Sequence, residues 1–144
     1  MYTLRKARES DYQWCRKVGH HGLKPIIERL IGWDQNREDN GFERHWNVHH
    51  IGIVQLRGQD VGYLKTAWQS GGVLIEGIYL DESFRSRGLG GPIIADLIAK
   101  ARRPVKLIVH KTNPAKNLYQ RLGFKITKEN ETRYFMTHAN EGSV

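Results

Sequence analysis

Apolar residues along this chain switch between a spacing of two and spacings of three and four, and those switches divide it into elements. Thr3 to Ala7 alternates and predicts a first strand, and Glu9-Ser10-Asp11 supplies helix-start residues ahead of Tyr12, Trp14, Cys15 and Val18. Leu23, Ile26, Ile27, Leu30, Ile31 and Trp33 continue as one helical stripe that Gly32 ends or bends. Asp34 to Glu43 starts a second, polar helix carrying Phe42, Arg44, His45 and Trp46. Ile51 to Leu56 and Val61 to Trp68, joined by Arg57-Gly58-Gln59-Asp60, predict a hairpin, and Gln69-Ser70-Gly71-Gly72 turns the chain into a third strand, Val73 to Leu80.

Beyond the turn Asp81 to Phe84, the apolar positions Ile93, Ile94, Leu97, Ile98 and Ala101 predict a helix with one buried stripe. Pro92 suits its first turn, where a missing N–H has no partner to lose. Arg102-Arg103-Pro104 stops that helix, and Val105, Leu107 and Val109 alternate with Lys106, Ile108 and His110 in a strand. Strand, helix, strand in this order implies a parallel pair. Thr112-Asn113-Pro114 opens a short helix with Ala115, Leu118, Tyr119 and Leu122 on one face and Gly123 at its end. Phe124 to Thr127 and Arg133 to Thr137 read as a closing hairpin, with a frayed tail from His138.

A chain of 144 residues is the size of one domain, taken as residues 1–138 followed by a flexible tail, 139–144. It has no run of 18 apolar residues, so no membrane partner is expected, and MYTLRKARESD lacks the apolar core of a signal peptide. The lone Cys15 excludes an internal disulfide and fits a reducing cytoplasm; in an amphipathic helix it reads as a small buried hydrophobe rather than a nucleophile. The net charge of +8 is spread along the chain, which suits an anionic ligand and a solvated basic surface. No zinc finger or aromatic RNA-binding sequence accompanies it, so nucleic-acid association stays an alternative. His20, His21, His45, His49 and His50 cluster in sequence, yet no ligand spacing supports a metal, and none is expected.

The candidate chemistry lies between the third strand and the helix after it. Arg85-Ser86-Arg87-Gly88-Leu89-Gly90-Gly91 occupies that strand-to-helix junction. Helix N-termini offer unpartnered N–H groups at the positive end of the dipole, glycines let a phosphate approach the backbone, and arginines add forked donors. A P-loop would need Gly-Lys-Ser/Thr and a Rossmann turn a glycine at Ile93, and the chain has neither. Chemistry beside such a junction that moves protons would need an acceptor and a donor on neighbouring elements. Glu76 shares a strand face with Ile78 by alternation, and a partly buried carboxylate there would have its pKa raised; a salt bridge or substrate anchor is the other reading. Tyr119 is a phenol on an inward stripe, readable as proton donor or as core.

Arg-Ser-Arg-Gly-Leu-Gly after a strand ending Ile-Tyr-Leu resembles the acetyl-CoA signature of the GNAT N-acetyltransferase superfamily. Asn113-Pro-Ala-Lys-Asn-Leu-Tyr119-Gln-Arg-Leu-Gly123-Phe124 is similar to that family's second motif, and the element order is similar to its whole fold. The resemblance implies an α/β (α+β) GNAT fold, a mixed, mostly antiparallel sheet of six to seven strands flanked by about four helices. It further implies acetyl-CoA as co-substrate, held by Ile78, Tyr79 and Leu80 along the pantetheine arm, by Arg85, Ser86, Arg87, Gly88, Leu89, Gly90 and Gly91 at the pyrophosphate, and by Asn113 and Asn117. Glu76 and Tyr119 would be the catalytic base and acid, and Trp33, Phe42, His45 and Trp46 would shape the acceptor side. Pro92 departs from relatives that offer another phosphate donor there. The implied activity is acyl transfer to the primary amine of an acceptor, with a homodimer compatible with the family. A CoA-binding module without turnover is the competing reading.

Overall fold

The computed structural model describes residues 1–140. Its elements run in the expected order: β1 (Tyr2–Lys6), α1 (Tyr12–Ile31), α2 (Gln35–His45), β2 (Ile51–Leu56), β3 (Gln59–Gln69), β4 (Gly72–Leu80), α3 (Gly90–Ala101), β5 (Val105–His110), α4 (Ala115–Arg121), β6 (Lys125–Glu129) and β7 (Arg133–His138). The strands form one sheet in the order β1-β2-β3-β4-β5-β7-β6. β4 and β5 pair in parallel through Val73, Leu74 and Ile75, while the pairs β1–β2, β2–β3, β5–β7 and β6–β7 are antiparallel. The chain's contacts divide it into two compact units: Met1–Lys65 with Gly77–Arg85, and Thr66–Glu76 with the chain from Ser86.

In the first unit, Asp34 caps α2 by accepting from the Arg37 N–H at 3.0 Å, the role its place in the sequence predicts. Arg57 and Gly58, with φ of 51° and 79°, make the two-residue turn of the β2–β3 hairpin; two positive φ values in succession match the right-handed twist of the strands. Alternation fails at Val61, Gly62, Tyr63 and Leu64, all buried. The cause is a bulge: Val54 pairs with Gly62 and Gln55 with Asp60, so Val61 is an extra residue that resets which side chains face inward. Cys15 and Val18 of α1 join Ile51, Ile53 and Tyr63 in a core, against which Trp14, Phe42, Trp46 and Tyr79 pack. Cys15 is fully buried, and burial pushes its thiol up to about 12, so it is the small hydrophobe the sequence implies.

Arg5 of β1 ties this unit's open end together. Its guanidinium donates to both Asp11 oxygens at 2.9 Å and to Asp60 at 2.8 and 3.3 Å. Those hydrogen bonds hold both carboxyls below their usual range. A lowered folded-state pKa gives stability that is present above about pH 4 and lost as pH falls through the shifted values. Arg5→Met is therefore expected to cost about 2 kcal/mol at pH 7, because it leaves two carboxylates without their cation. Urea unfolding at pH 7 and at pH 3 checks this: the gap between variant and parent should narrow at the lower pH.

In the second unit, Ile93, Ile94, Leu97 and Ala101 of α3 are buried, as are Val105, Leu107 and Val109 of β5 and Met136 of β7. Arg102 ends α3 in the left-handed region at φ 52°. The predicted tail is in part ordered structure. His138 completes β7 opposite Val105, and the Asn140 amide donates to the carbonyls of Ile98 and Arg103 at 2.9 Å, satisfying acceptors that the end of α3 leaves open. The rest of the expected tail, 141–144, lies outside the described residues. Among the described residues no helix is long and apolar enough to cross a membrane.

Candidate active site

In the first unit the end of β4 is built around small residues. Gly62 lies so close to β4 that a Cβ there would meet the Tyr79 carbonyl oxygen and lie 2.8 Å from Leu80 Cδ2. Gly19 and Gly22, one turn apart on α1, face Tyr63 and Tyr79, whose rings meet at a tilt with centroids 5.0 Å apart. Ile78, Tyr79 and Leu80 are half-buried. The Leu80 carbonyl accepts from Arg85 Nε at 3.1 Å, and Asp81 N–H donates to the Val61 carbonyl at 2.8 Å.

Arg85 is also braced from α1. Its Nη2 lies 2.6 Å from His21 Nδ1, and a guanidinium can only donate, so that ring nitrogen is the unprotonated one. His21 Nε2 then faces the Glu82 carboxylate at 3.7 Å. The sequence predicts Arg85 as a phosphate contact; its Nε and Nη2 also tie the strand end to α1. Nothing in the sequence marks the pairing with His21.

In the second unit the glycine-rich segment leaves the sheet exposed: Ser86, Arg87 and Gly88 are open to solvent, and Leu89, Gly90 and Gly91 are half-buried. Ser86 and Gly88 have φ of 64° and 72°, so left-handed residues bracket Arg87. No side chain caps Leu89 at the start of α3. The opening N–H groups of the helix therefore remain available to an anion, less the one that Pro92 lacks. Gly90 and Gly91 face α4: a Cβ at either would sit at ordinary contact distance, 3.4 or 3.7 Å, from Leu118.

Asn113 accepts from the Ala115 N–H at 2.9 Å through Oδ1, which starts α4 and leaves its amide nitrogen for another partner; Asn117 is exposed. Tyr119 is 7% exposed, edge-on to Phe124 at 5.8 Å, and burial pushes its phenol up to about 12. Glu76 is exposed, so the partly buried carboxylate expected from the sequence is not what β4 presents. Its neighbours Val73 and Ile75 take the buried positions instead.

The four aromatic and basic residues assigned to the acceptor divide. Phe42 and Trp46 meet Tyr12 edge-on at 5.3 and 5.1 Å, and the Trp46 indole donates to Glu9 at 2.8 Å, so both serve packing. His45 is exposed, with Nδ1 2.8 Å from the Gly41 carbonyl. Trp33 lines a cleft, an open cavity of about 490 Å³ between α1 and the start of α2. Arg16, Lys17 and Lys24 of that cleft are absent from the sequence-based site, although their spacing with His20 marks one face of α1. Among the described residues no cluster could hold a metal ion.

Residues 43–126 match the family model described as an acetyltransferase (GNAT) domain. The chain is 32% identical over 117 residues to the mycothiol acetyltransferase of Corynebacterium aurimucosum, covering 68% of this chain and 38% of that protein. Among solved structures it is similar to the PaiA N-acetyltransferase from Thermoplasma acidophilum in complex with coenzyme A, with a TM-score of 0.78 and 11% identity over 96% of this chain and 99% of that one. An acetyltransferase from Thermus thermophilus gives 0.75 at 20% identity, covering 96% and 97%. These structural likenesses establish the fold.

Proposed function

Given that the chain belongs to the GNAT acetyltransferase family, we propose that it transfers the acetyl group of acetyl-CoA to a primary amine by direct attack. The observation that carries this reading is the exposed segment at the start of α3, where left-handed Ser86 and Gly88 precede a helix start with no side-chain cap. The pyrophosphate would rest on that segment, with Arg87 as its charged partner, and the Asn113 amide would reach the cofactor from α4. The backbone of Ile78 and Tyr79 would pair with the pantetheine arm, since the Leu80 carbonyl already serves Arg85.

In the reaction the amine nitrogen bonds to the thioester carbon and the carbon–sulfur bond breaks. The proton lost by the amine goes to Glu76, directly or through water, and Tyr119 protonates the departing thiolate. Tyr119 carries its proton at neutral pH, as a general acid must, although burial raises its pKa and so makes it a weaker donor than a solvated phenol. No step uses Cys15, and a single cysteine without a disulfide partner fits a chain that works in a reducing cytoplasm.

Calorimetry with CoA and a thioester-consumption assay over a panel of amines test the reading. CoA should bind and raise the melting temperature, and Gly88→Val should weaken binding about tenfold or more, because a side chain at φ 72° strains the anion-facing turn. Failure of CoA to bind would remove the proposal. Binding without consumption of acetyl-CoA by any amine would favour a CoA-binding module without turnover.

A further inference from the structure

Charge that is spread along the sequence is gathered by the fold. The second unit holds eleven of the chain's 23 arginines and lysines against five carboxylates, and so six of its eight net positive charges. Arg87 belongs to the glycine-rich segment. Lys100, Arg102 and Arg103 lie at the C-terminal end of α3, where the helix dipole favours cations, and Lys111 and Lys116 stand over the Tyr134 ring at 5.1 Å. Four of the remainder, Lys106, Lys125, Lys128 and Arg133, share one face of β5, β7 and β6. We propose that this face binds single-stranded nucleic acid, with a base stacked on Phe135 and phosphates held by those four cations.

Strand register fixes which side chains lie together, because residues directly opposite each other in a ladder project to the same side. Lys106 and Lys125 both lie opposite Thr137, Ile108 and Lys128 both lie opposite Phe135, and His110 lies opposite Arg133. The other side buries Val105, Leu107, Val109 and Met136. On this side Ile108 is 49% exposed, the four cations are exposed and Phe135 is half-buried. Lysines guard the outermost strand of many sheets, which accounts for the two on β6. β5 and β7 are inner strands, so that need explains neither Lys106 and Arg133 nor the open Ile108 and Phe135.

A bulge completes the arrangement. Thr127 is the extra residue between Ile126, opposite Met136, and Lys128, opposite Phe135, and its hydroxyl donates to the Phe135 carbonyl at 3.2 Å. The bulge sets the Lys128 ammonium 5.2 Å from the centre of the Phe135 ring, where an unbroken ladder would set Thr127. Carboxylates do little to neutralise the face. Glu129 lies on the other side, 3.3 Å from Lys111, Glu131 is in the turn between β6 and β7, and Glu76 shares the face from β4. Among the described residues none of the four cations is in an ion pair. An aromatic ring among such cations suits a polymer that alternates planar bases with phosphates, and a second copy of this basic face would be repelled.

The test titrates the chain into fluorescein-labelled oligouridylate and oligothymidylate of about twelve nucleotides, read by anisotropy over a salt series. Both are expected to bind, with a slope of log affinity against log salt of about −3, as for four phosphates neutralised on a single strand. Lys125→Gln combined with Lys128→Gln should bring the slope to about −1.5. Phe135→Leu should weaken binding about tenfold at unchanged slope, and leave affinity for heparin, a polyanion without bases, within about twofold. If Phe135→Leu does not fold, the parent's Phe135 ring signals are followed by NMR, and a stacking base should move them upfield. No binding of either oligonucleotide, a parent-like slope in the double variant, or Phe135 affinity or signals that do not respond would overturn the proposal. So would polyglutamate competing as well as oligouridylate, which would assign the face to an acidic protein. None of these measurements uses CoA or an amine, so their outcome is separate from that of the acetyl-transfer reading.

Discussion

Gly62→Val is expected to lower stability by about 3 kcal/mol, measured as a shift in the urea midpoint. The reason is space rather than backbone conformation, because Gly62 is absent from the positive-φ glycines. A Cβ there would meet the Tyr79 carbonyl oxygen and stand 2.8 Å from Leu80 Cδ2 and 3.1 Å from Leu80 Cα. A side-chain end could swing aside; main-chain atoms held by the adjacent bond from Asp81 N–H to the Val61 carbonyl cannot move without opening the strand pairing. The matching control is Gly71→Ala, where nothing lies within 4 Å of the added atom and the midpoint should hold to within about 0.5 kcal/mol. A Gly62→Val midpoint as close to the parent's as the control's would show that β4 yields, and the steric account of Gly62 would fail.

Tyr119→Phe is expected to reduce kcat about a hundredfold while leaving CoA affinity within about a factor of two. The substitution keeps the ring and its edge contact to Phe124 and removes only the hydroxyl, so its effect on stability should be small. The phenol's raised pKa follows from desolvation alone. In sign, the acid form persists to high pH, so the parent's activity should show no alkaline fall from this group until pH approaches about 12. Equal kcat in the two proteins would assign Tyr119 to the core only. A parallel loss of CoA affinity would instead place the hydroxyl on the cofactor.

The order of elements was legible because local periodicity and tertiary burial agree over most of the chain. β5 is the clearest instance: Val105, Leu107 and Val109 alternate with Lys106 and Ile108 in sequence and in burial. Legibility ended where a single residue altered the register. The extra Val61 is invisible in the apolar run Val61 to Leu64, since a bulge and a doubly buried strand give the same pattern. α1 likewise runs through Pro25, a residue that ordinarily interrupts a helix, because its other face is fastened to the sheet by Cys15 and Val18.

The glycine-rich segment could be found from its residues, whereas the partners of those residues could not. Arg85 looks like Arg87 in sequence, yet it is committed to Leu80 and His21, which are separated from it by five and 64 positions. Phe42 and Trp46 look like ligand contacts in sequence and are packing in the fold, while the lysines of α1 look like solvated surface and line a cleft. Both outcomes depend on how α2 returns along α1, which no local pattern encodes.

The solitary Cys15 gives the first unit an internal timekeeper. At zero exposure its sulfur cannot meet an alkylating reagent while the core stays shut, and the chain has no second thiol to compete. The labelling rate under native conditions therefore counts how often this core breathes open, and at what free-energy cost, with no probe having to be engineered into the protein.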